Sequence, residues 1–108
     1  MNTQFKKGVL ELCVLDMVRR RDYYGYELVQ EISRDIDISE GALYPILRRL
    51  SKDGIFETYL EESGEGPSRK YYRITGVGRD RAEAVRREWE DFLQRIDRIL
   101  DEGREVRV

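Results

Sequence analysis

The pattern of apolar residues changes from helical to strand-like at Gly54, and this change constrains the fold more than any other feature of the sequence. Three segments before it have helical character, and they span residues 5–21, 22–32 and 39–53. The first is apolar on nearly all sides, which predicts burial on more than one side. Asp22 and Ser39 are expected to cap the second and third helices, and Gly54 is suited to the left-handed turn that ends the third.

After Gly54, two segments have the β-branched and aromatic content of strands, IFETYLE and RKYYRIT. The segment between them, ESGEGPS, is typical of a loop, so the three together predict a β-hairpin. The alternation of a strand puts Tyr71 and Tyr72 on opposite faces and leaves open which of them is buried. Thr75 is then expected to cap a long final helix over residues 76–102. Three helices followed by a hairpin is the order of a winged helix-turn-helix, with the hairpin as the wing.

The composition of the 108 residues excludes several classes of function. Because there is no histidine, the usual general base and the commonest transition-metal ligand are missing. The single Cys13 forms no internal disulfide and no structural zinc site, and TGVGRD matches no phosphate-binding motif. No apolar run approaches the roughly 18 residues of a membrane span, and MNTQFKKG does not resemble a signal peptide. We therefore predict a cytoplasmic protein that is not an enzyme and has no metal, cofactor or membrane partner.

The third helix has a local basic face, although the net charge of −2 argues weakly against nucleic acid. Placing residues about 100° apart puts the apolar positions on one side, namely Leu43, Ile46, Leu47 and Leu50. The opposite side carries Gly41, Pro45, Arg48 and Lys52, flanked by Tyr44 and Arg49. Small residues followed by cations suit a helix in the major groove, where N-terminal residues approach base edges and cations meet phosphates.

Pro45 is unexpected inside such a helix, because an interior proline removes a backbone donor and costs ~3 kcal/mol. Two explanations are open. In the first, Pro45 lies on the outer face of the helix and clashes only with Gly41, which has no side chain. In the second, the helix begins near Tyr44, so that Pro45 falls in the first turn, where proline is tolerated.

Three segments of the chain also resemble the PadR family of bacterial transcriptional regulators. They are YGYELVQEI, GALYPILRRLSKDGI and GPSRKYYRIT followed by GVG, and the similarity extends over about residues 5–100. The resemblance implies a dimeric winged-helix DNA-binding protein, usually a repressor relieved by small molecules. It also implies that Tyr44, Pro45 and Arg48 lie at the recognition helix and that Arg69 and Lys70 lie on the wing. Members of the MarR family are another class of winged-helix regulator, but they usually carry more helix around the wing.

The residues predicted to bind operator DNA combine the outer face of the third helix with the base of the wing. They are Ser39, Gly41, Tyr44, Pro45, Arg48, Arg49, Lys52, Arg69 and Lys70. The wing loop itself carries Glu61, Glu62 and Glu65, and an acidic tip is unsuited to a deep approach to phosphates. That tip and the net negative charge favour an alternative, a winged-helix protein-interaction module that does not bind DNA specifically.

The final helix has apolar residues at heptad spacing, which predicts a partner helix. Five positions are expected in a dimer interface, namely Val85, Trp89, Phe92, Ile96 and Ile99. We therefore predict a winged-helix DNA-binding domain at residues 1–75 and a dimerisation helix at residues 76–108. A two-fold dimer would bind an inverted-repeat operator. The alternative is that this helix folds back on its own domain.

Trp89 is the only tryptophan and lies near the middle of this heptad pattern. It is either a large anchor of the dimer or the flat wall of a site for a small aromatic effector. In the second case Phe92, Ile96 and Phe5 would complete an apolar pocket. Ligand binding there would change the spacing of the two recognition helices and release the DNA.

Overall fold

The computed structural model describes the backbone of residues 3–105 and the side chains of residues 6–101. Its elements are α1 (Thr3–Arg20), β1 (Tyr23–Tyr24), α2 (Gly25–Ser33), α3 (Glu40–Lys52), β2 (Phe56–Glu61), β3 (Arg69–Ile74) and α4 (Gly76–Glu105). The predicted order of helices, hairpin and final helix is confirmed. The fold is a mainly α winged helix with a small antiparallel sheet.

The sheet has three strands in the order β1-β3-β2, so the predicted two-stranded hairpin was incomplete. The additional strand, β1, pairs antiparallel with β3 and places Tyr23 opposite Tyr72. Asp22, expected to cap α2, instead accepts a 2.7 Å hydrogen bond from the Tyr59 hydroxyl on β2. The start of α2 is closed by Glu27, whose Oε1 accepts the backbone N–H of Tyr24 at 3.1 Å.

The hydrophobic core lies between α1, the helix-turn-helix and the sheet. Its fully buried side chains are Phe56, Leu10, Leu15, Leu28, Leu43, Leu47, Val14 and Val18. Tyr72 belongs to this core with 4 % of its surface exposed, whereas Tyr71 on the opposite face is only half-buried. This finding decides the question that the strand alternation left open. The burial of α1 on several sides also confirms the expectation from its sequence.

The ends of α3 and the start of α4 follow the capping pattern of the sequence. Ser39 Oγ accepts the backbone N–H of Ala42 at 3.2 Å, and Gly54 has a φ of 76°. Thr75 Oγ1 accepts the backbone N–H of Gly78 at 3.0 Å and also lies 2.7 Å from the Gly54 carbonyl oxygen. The same threonine therefore caps α4 and fastens it to the turn that follows α3.

Pro45 lies in the interior of α3, because the helix begins at Glu40. The alternative in which the helix begins near Tyr44 is therefore wrong. Pro45 and Gly41 are both exposed, so the carbonyl that Pro45 leaves without a donor lies on the solvent side. A proline is tolerated on this outer face because the carbonyl without a donor faces solvent, whereas on a buried face it would have no hydrogen-bond partner.

The first half of helix α4 packs on α1. Ala82 is buried, Val85 packs against the core, and the Trp89 ring lies against Gly8, where an added β-carbon would be 3.3 Å from Cζ2. Farther along, 51 % of the Phe92 side chain and 70 % of the Ile99 side chain are exposed. The first half therefore does fold back on its own domain, and the second half presents an apolar face. No helix in the described part of the chain is both long and apolar enough to cross a membrane.

Candidate nucleic-acid interface

The outer face of α3 presents the cations that its sequence period predicted. Gly41, Pro45, Arg48 and Lys52 are all exposed. Among the described residues neither Arg48 nor Lys52 forms an ion pair, whereas Arg49 Nη2 lies 3.2 Å from Glu11 Oε2 on α1. Two cations of this face are thus available to an incoming anion, and the third is held by a carboxylate.

Tyr44 forms one edge of this face and is fixed by α2. Its ring lies over Gly25, where an added β-carbon would be only 2.6 Å from Cε1. Burial, followed by the negative charge of Glu40, raises the pKa of Tyr44 above its ordinary value. The hydroxyl is therefore protonated at neutral pH and available as a hydrogen-bond donor.

The start of β3, next to the wing loop, brings two further cations to the same edge of α3. The guanidinium of Arg69 lies 4.8 Å from the centroid of the Tyr24 ring, and Lys70 Nζ lies 5.9 Å from that of Tyr72. Both cation–π contacts hold the charged groups over aromatic faces while leaving the side chains exposed.

A cleft of about 540 Å³ lies between α3, the start of α2 and the wing. We call it the wing-side cleft, and its lining includes Tyr24, Tyr26, Tyr44, Arg48, Arg69 and Lys70. The structure therefore brings together four of the predicted residues, from α3 and the wing. The sequence reasoning missed Tyr24 and Tyr26, although the unusual YYGY run was a visible signal.

Two of the three acidic residues predicted for the wing loop, Glu62 and Glu65, lie in the loop, whereas Glu61 is the last residue of β2 and lies opposite Arg69. Glu61, Glu62 and Glu65 are exposed, and Glu65 reaches the rim of the wing-side cleft. The loop is closed on itself, since Ser63 Oγ lies 2.8 Å from the Glu65 carbonyl oxygen and 3.1 Å from that of Pro67. The cations of β3 and the carboxylates of the wing loop are therefore neighbours at the loop end of the hairpin, and Glu61 and Glu65 reduce the positive charge beside Arg69 and Lys70.

Four of the five remaining predicted residues lie on the other side of α3, whereas Lys52 is exposed near the end of the helix and lines neither surface. A second concave surface of about 780 Å³, which we call the α1-side groove, separates α3 from the start of α1. Its lining includes Ser39, Gly41, Pro45 and Arg49 from the predicted set, together with Lys6, Lys7, Glu11 and Asp37. Ser39 contributes through its position, because its hydroxyl oxygen already accepts the capping N–H of Ala42.

The residues predicted for the dimer lie along one side of α4. Val85, Trp89 and Ile96 are half-buried, whereas Phe92 and Ile99 are exposed. The rings of Trp89 and Phe92 meet edge to face, with centroids 6.1 Å apart and planes at 85°. Apolar side chains therefore continue beyond the part of α4 that α1 covers.

Trp89 also borders a cavity of about 540 Å³ between α1, α2 and α4. Its apolar lining comes from Leu12, Cys13, Met17, Ile32, Ile36, Trp89 and Leu93. Burial, and then the charge of Asp16, raises the pKa of the Cys13 thiol, as expected for an unreactive cysteine. Phe92 and Ile96 do not line this cavity, and the Phe5 side chain lies outside the described residues. The described residues also contain no cluster of potential ligands that could hold a metal ion.

Comparison with known proteins identifies the family. Residues 14–84 match the model of the Transcriptional regulator PadR-like family. A PadR-like transcriptional regulator from Bacillus cereus is 36% identical, with a TM-score of 0.80 and coverage of 90% of this chain and 96% of that one. A Streptococcus transcriptional regulator is 38% identical, with a TM-score of 0.81 over 91% and 98% of the two chains.

A sequence relative supports the same assignment. The transcriptional regulator Rv3488 of Mycobacterium tuberculosis is 31% identical over 94 residues, which cover 86% of this chain and 87% of the relative. The family consists of DNA-binding transcriptional regulators rather than enzymes, which confirms the prediction that this chain is not an enzyme. With the family model matched over most of its winged helix, the chain belongs to the PadR-like family of transcriptional regulators.

Proposed function

We propose that this chain is a homodimeric, sequence-specific repressor that binds an inverted-repeat operator and is released from it by a small ligand. The observation that carries the DNA-binding part is the wing-side cleft, in which Arg48 of α3 faces Arg69 and Lys70 of the wing. Three cations converge there from two elements that are distant in sequence. If the cations of α3 only faced solvent, there would be no reason for the wing to carry positive charge beside them.

In this proposal the outer face of α3 enters the major groove. Gly41 and Pro45 allow close approach of the backbone to the bases, and Arg48 is the side chain placed to read a base edge. Tyr44, Arg49, Lys52, Arg69 and Lys70 bind phosphates, which fix the orientation of the helix without carrying sequence information. Ser39 keeps the first turn of α3 in shape.

The dimer of the proposal forms through α4, so that the chain divides into a winged-helix unit at residues 1–75 and a dimerisation helix at residues 76–108. The support is the apolar face that α1 does not cover, where Phe92 and Ile99 are exposed. A two-fold axis between two copies of α4 would present two recognition helices. Their half-sites would be separated by about one helical turn, 10–10.5 base pairs, or a multiple of it.

Release by a small aromatic ligand is the regulatory part of the proposal. Trp89 would form the flat aromatic wall of the site, and Phe92 and Ile96 would complete its apolar lining. A bound ligand would favour a dimer with a different spacing of recognition helices. Planar aromatic compounds should then quench the Trp89 fluorescence and weaken operator binding in the same concentration range. A regulator of this kind acts on chromosomal DNA in the cytoplasm.

The test is fluorescence anisotropy with the DNA upstream of the gene for this chain and with a scrambled duplex, at two salt concentrations. We expect a preference of ~10³-fold or more for the true operator, weakening as salt is added. Equal and weak binding to both duplexes, followed by an empty selection from random DNA, would contradict the proposal. The acidic wing tip would then favour the alternative function, a protein-interaction module.

A further inference from the structure

The α1-side groove is a second concave surface beside α3, and it is built on the start of α1 rather than on the wing. Its cations are Lys6 and Lys7 of α1 and Arg49 of α3. We propose that this groove binds a second DNA backbone, on the side of α3 opposite the wing, through the ammonium groups of Lys6 and Lys7 and the guanidinium of Arg49. The inference rests on the proposed function and adds a phosphate-binding surface to it.

Two sides of α3 face different concave surfaces, and a helix in the major groove likewise has one phosphate backbone on each side. Tyr44 faces the wing-side cleft and Arg49 faces the α1-side groove. Five residues at about 100° each place these side chains about 140° apart around the helix. The major groove is about 12 Å wide and a helix with its side chains about 10–12 Å in diameter, so a helix in the groove passes between two phosphate backbones. Cations on only one edge would leave the second backbone without a partner.

Lys6 is already held where such a backbone would pass. Its Nζ donates a 2.8 Å hydrogen bond to the Asp37 carbonyl oxygen, in the turn that precedes α3. An ammonium group has three N–H donors, so one bond to a carbonyl leaves two for a phosphate. Lys7 is exposed beside it. Both charges therefore lie near the start of α3, where the helix dipole also favours an anion.

The carboxylate that holds Arg49 has a second cation to pair with. Glu11 Oε2 lies 3.2 Å from Arg49 Nη2, and Glu11 Oε1 lies 3.6 Å from Arg81 Nη2 on α4. When Arg49 binds a phosphate instead of Glu11, the carboxylate of Glu11 remains paired with the Arg81 guanidinium. The carboxylates of Glu11 and Asp37 reduce the positive charge of the groove, so Lys6 and Lys7 are needed to keep it attractive to phosphate.

The experiment compares the double variant K6Q/K7Q with R87Q/R98Q, measuring the salt dependence of binding to the operator and to a scrambled duplex. The control removes the same charge from α4, on the side about opposite its apolar seam. We expect K6Q/K7Q to reduce the slope of log K against log salt by about 0.9 for every phosphate that the variant no longer neutralises. The ratio of operator to scrambled affinity should change less than twofold, because binding to phosphates is not sequence-specific.

Two further variants separate phosphate binding from a structural role of Lys6. K7Q leaves the Lys6 bond to Asp37 in place and should still reduce the slope, and K6R/K7R should restore it. A K6Q/K7Q slope equal to that of R87Q/R98Q on both duplexes would overturn the inference and leave the proposed function intact. Loss of operator preference in the wild-type protein would instead contradict the proposed function, and the slope on the scrambled duplex would still test the groove.

Discussion

The ring of Tyr44 lies over the backbone of Gly25 so closely that a β-carbon added to this glycine would be 2.6 Å from Tyr44 Cε1. Gly25 is the first residue of α2 and is buried, whereas Tyr44 borders the outer face of α3. This contact joins the two helices of the helix-turn-helix at the wing-side cleft. The position of Tyr44, a proposed DNA-binding residue, therefore depends on residue 25 having no side chain.

Replacing Gly25 with Ala tests this dependence. We expect Gly25→Ala to displace the Tyr44 ring and to lower the free energy of unfolding by about 1–3 kcal/mol, the usual cost of overpacking. The matched control is Gly76→Ala at the start of α4, where an added β-carbon meets nothing within 4 Å. Urea unfolding and operator anisotropy should both distinguish the two variants. Equal stability and equal affinity would mean that Tyr44 moves aside without consequence.

In the proposed complex, Arg48 is the side chain that reads a base edge. Replacing it with Ala should weaken operator binding by about 1–3 kcal/mol and reduce the preference over a scrambled duplex. Arg87→Ala removes the same charge from the exposed surface of α4, where Arg87 pairs with Glu83, and should leave the preference unchanged. Anisotropy on both duplexes measures the effect. A loss of affinity that is the same on both would mean that Arg48 binds only phosphate.

The local elements of this fold could be predicted because their signals are local. The Ser39 cap, the left-handed Gly54 and the Thr75 cap are each decided by one residue and its neighbours, and all three are confirmed. The strand β1 has no such signal. It consists of two residues that become a strand only because β3 lies beside them, and its formation takes Asp22 away from the expected cap.

The candidate site was predictable along α3 and at Arg69 and Lys70 of the wing, but not in the contacts that α1 and α2 make beside it. A period of about 100° per residue fixes which α3 residues face outward. It does not show that Tyr24 and Tyr26 lie in the wing-side cleft or that Lys6 reaches Asp37, because these contacts join segments that are distant along the chain. Helix α4 gave a similar result, since its heptad pattern does not reveal that α1 covers the Trp89 end and leaves Phe92 exposed.

The hydrogen bond from Tyr59 to Asp22 predicts a pH dependence of stability. This bond raises the pKa of Tyr59 to about 12, above the ordinary tyrosine value of about 10. The protonated phenol is therefore favoured in the folded state, and its stabilisation is full below about pH 10 and is lost as the pH rises through about 12. Tyr59→Phe should remove this contribution. The stability difference between wild type and Tyr59→Phe should then shrink between pH 9 and pH 12.

A comparison of chemical unfolding curves measures that difference, with Tyr26→Phe as the control. Tyr26 lies on α2, with 44 % of its surface exposed, and is not part of the bond between Tyr59 and Asp22. Its replacement should leave the alkaline part of the stability curve parallel to that of the wild type. A Tyr59→Phe curve that also stays parallel up to pH 12 would show that the bond contributes nothing to folding.

The apolar face of α4 predicts the effect of a single charge on assembly. Phe92→Glu places a carboxylate in the proposed dimer seam, where it would be buried without a partner, so we expect a monomer at micromolar concentration. Gln94→Glu adds the same charge about 160° away around the helix and should remain dimeric. Sedimentation equilibrium measures both. Because Phe92 is 51 % exposed in the single chain, its replacement should leave the fold itself intact. Dimers of equal stability in both variants would place the interface elsewhere.

Glu11 joins the proposed dimerisation helix to the recognition helix, since it pairs with Arg81 of α4 and with Arg49 of α3. Glu11→Gln keeps the shape of the side chain and releases Arg49 for phosphate. We expect tighter binding to a scrambled duplex, with a salt slope larger by about 0.9 for each additional phosphate that the variant neutralises. Glu83→Gln is the matched control, because it frees Arg87 from a carboxylate in the same way but on the exposed surface of α4. If the two variants bind a scrambled duplex equally, Arg49 does not reach phosphate, and Glu11 serves only to hold α1, α3 and α4 together.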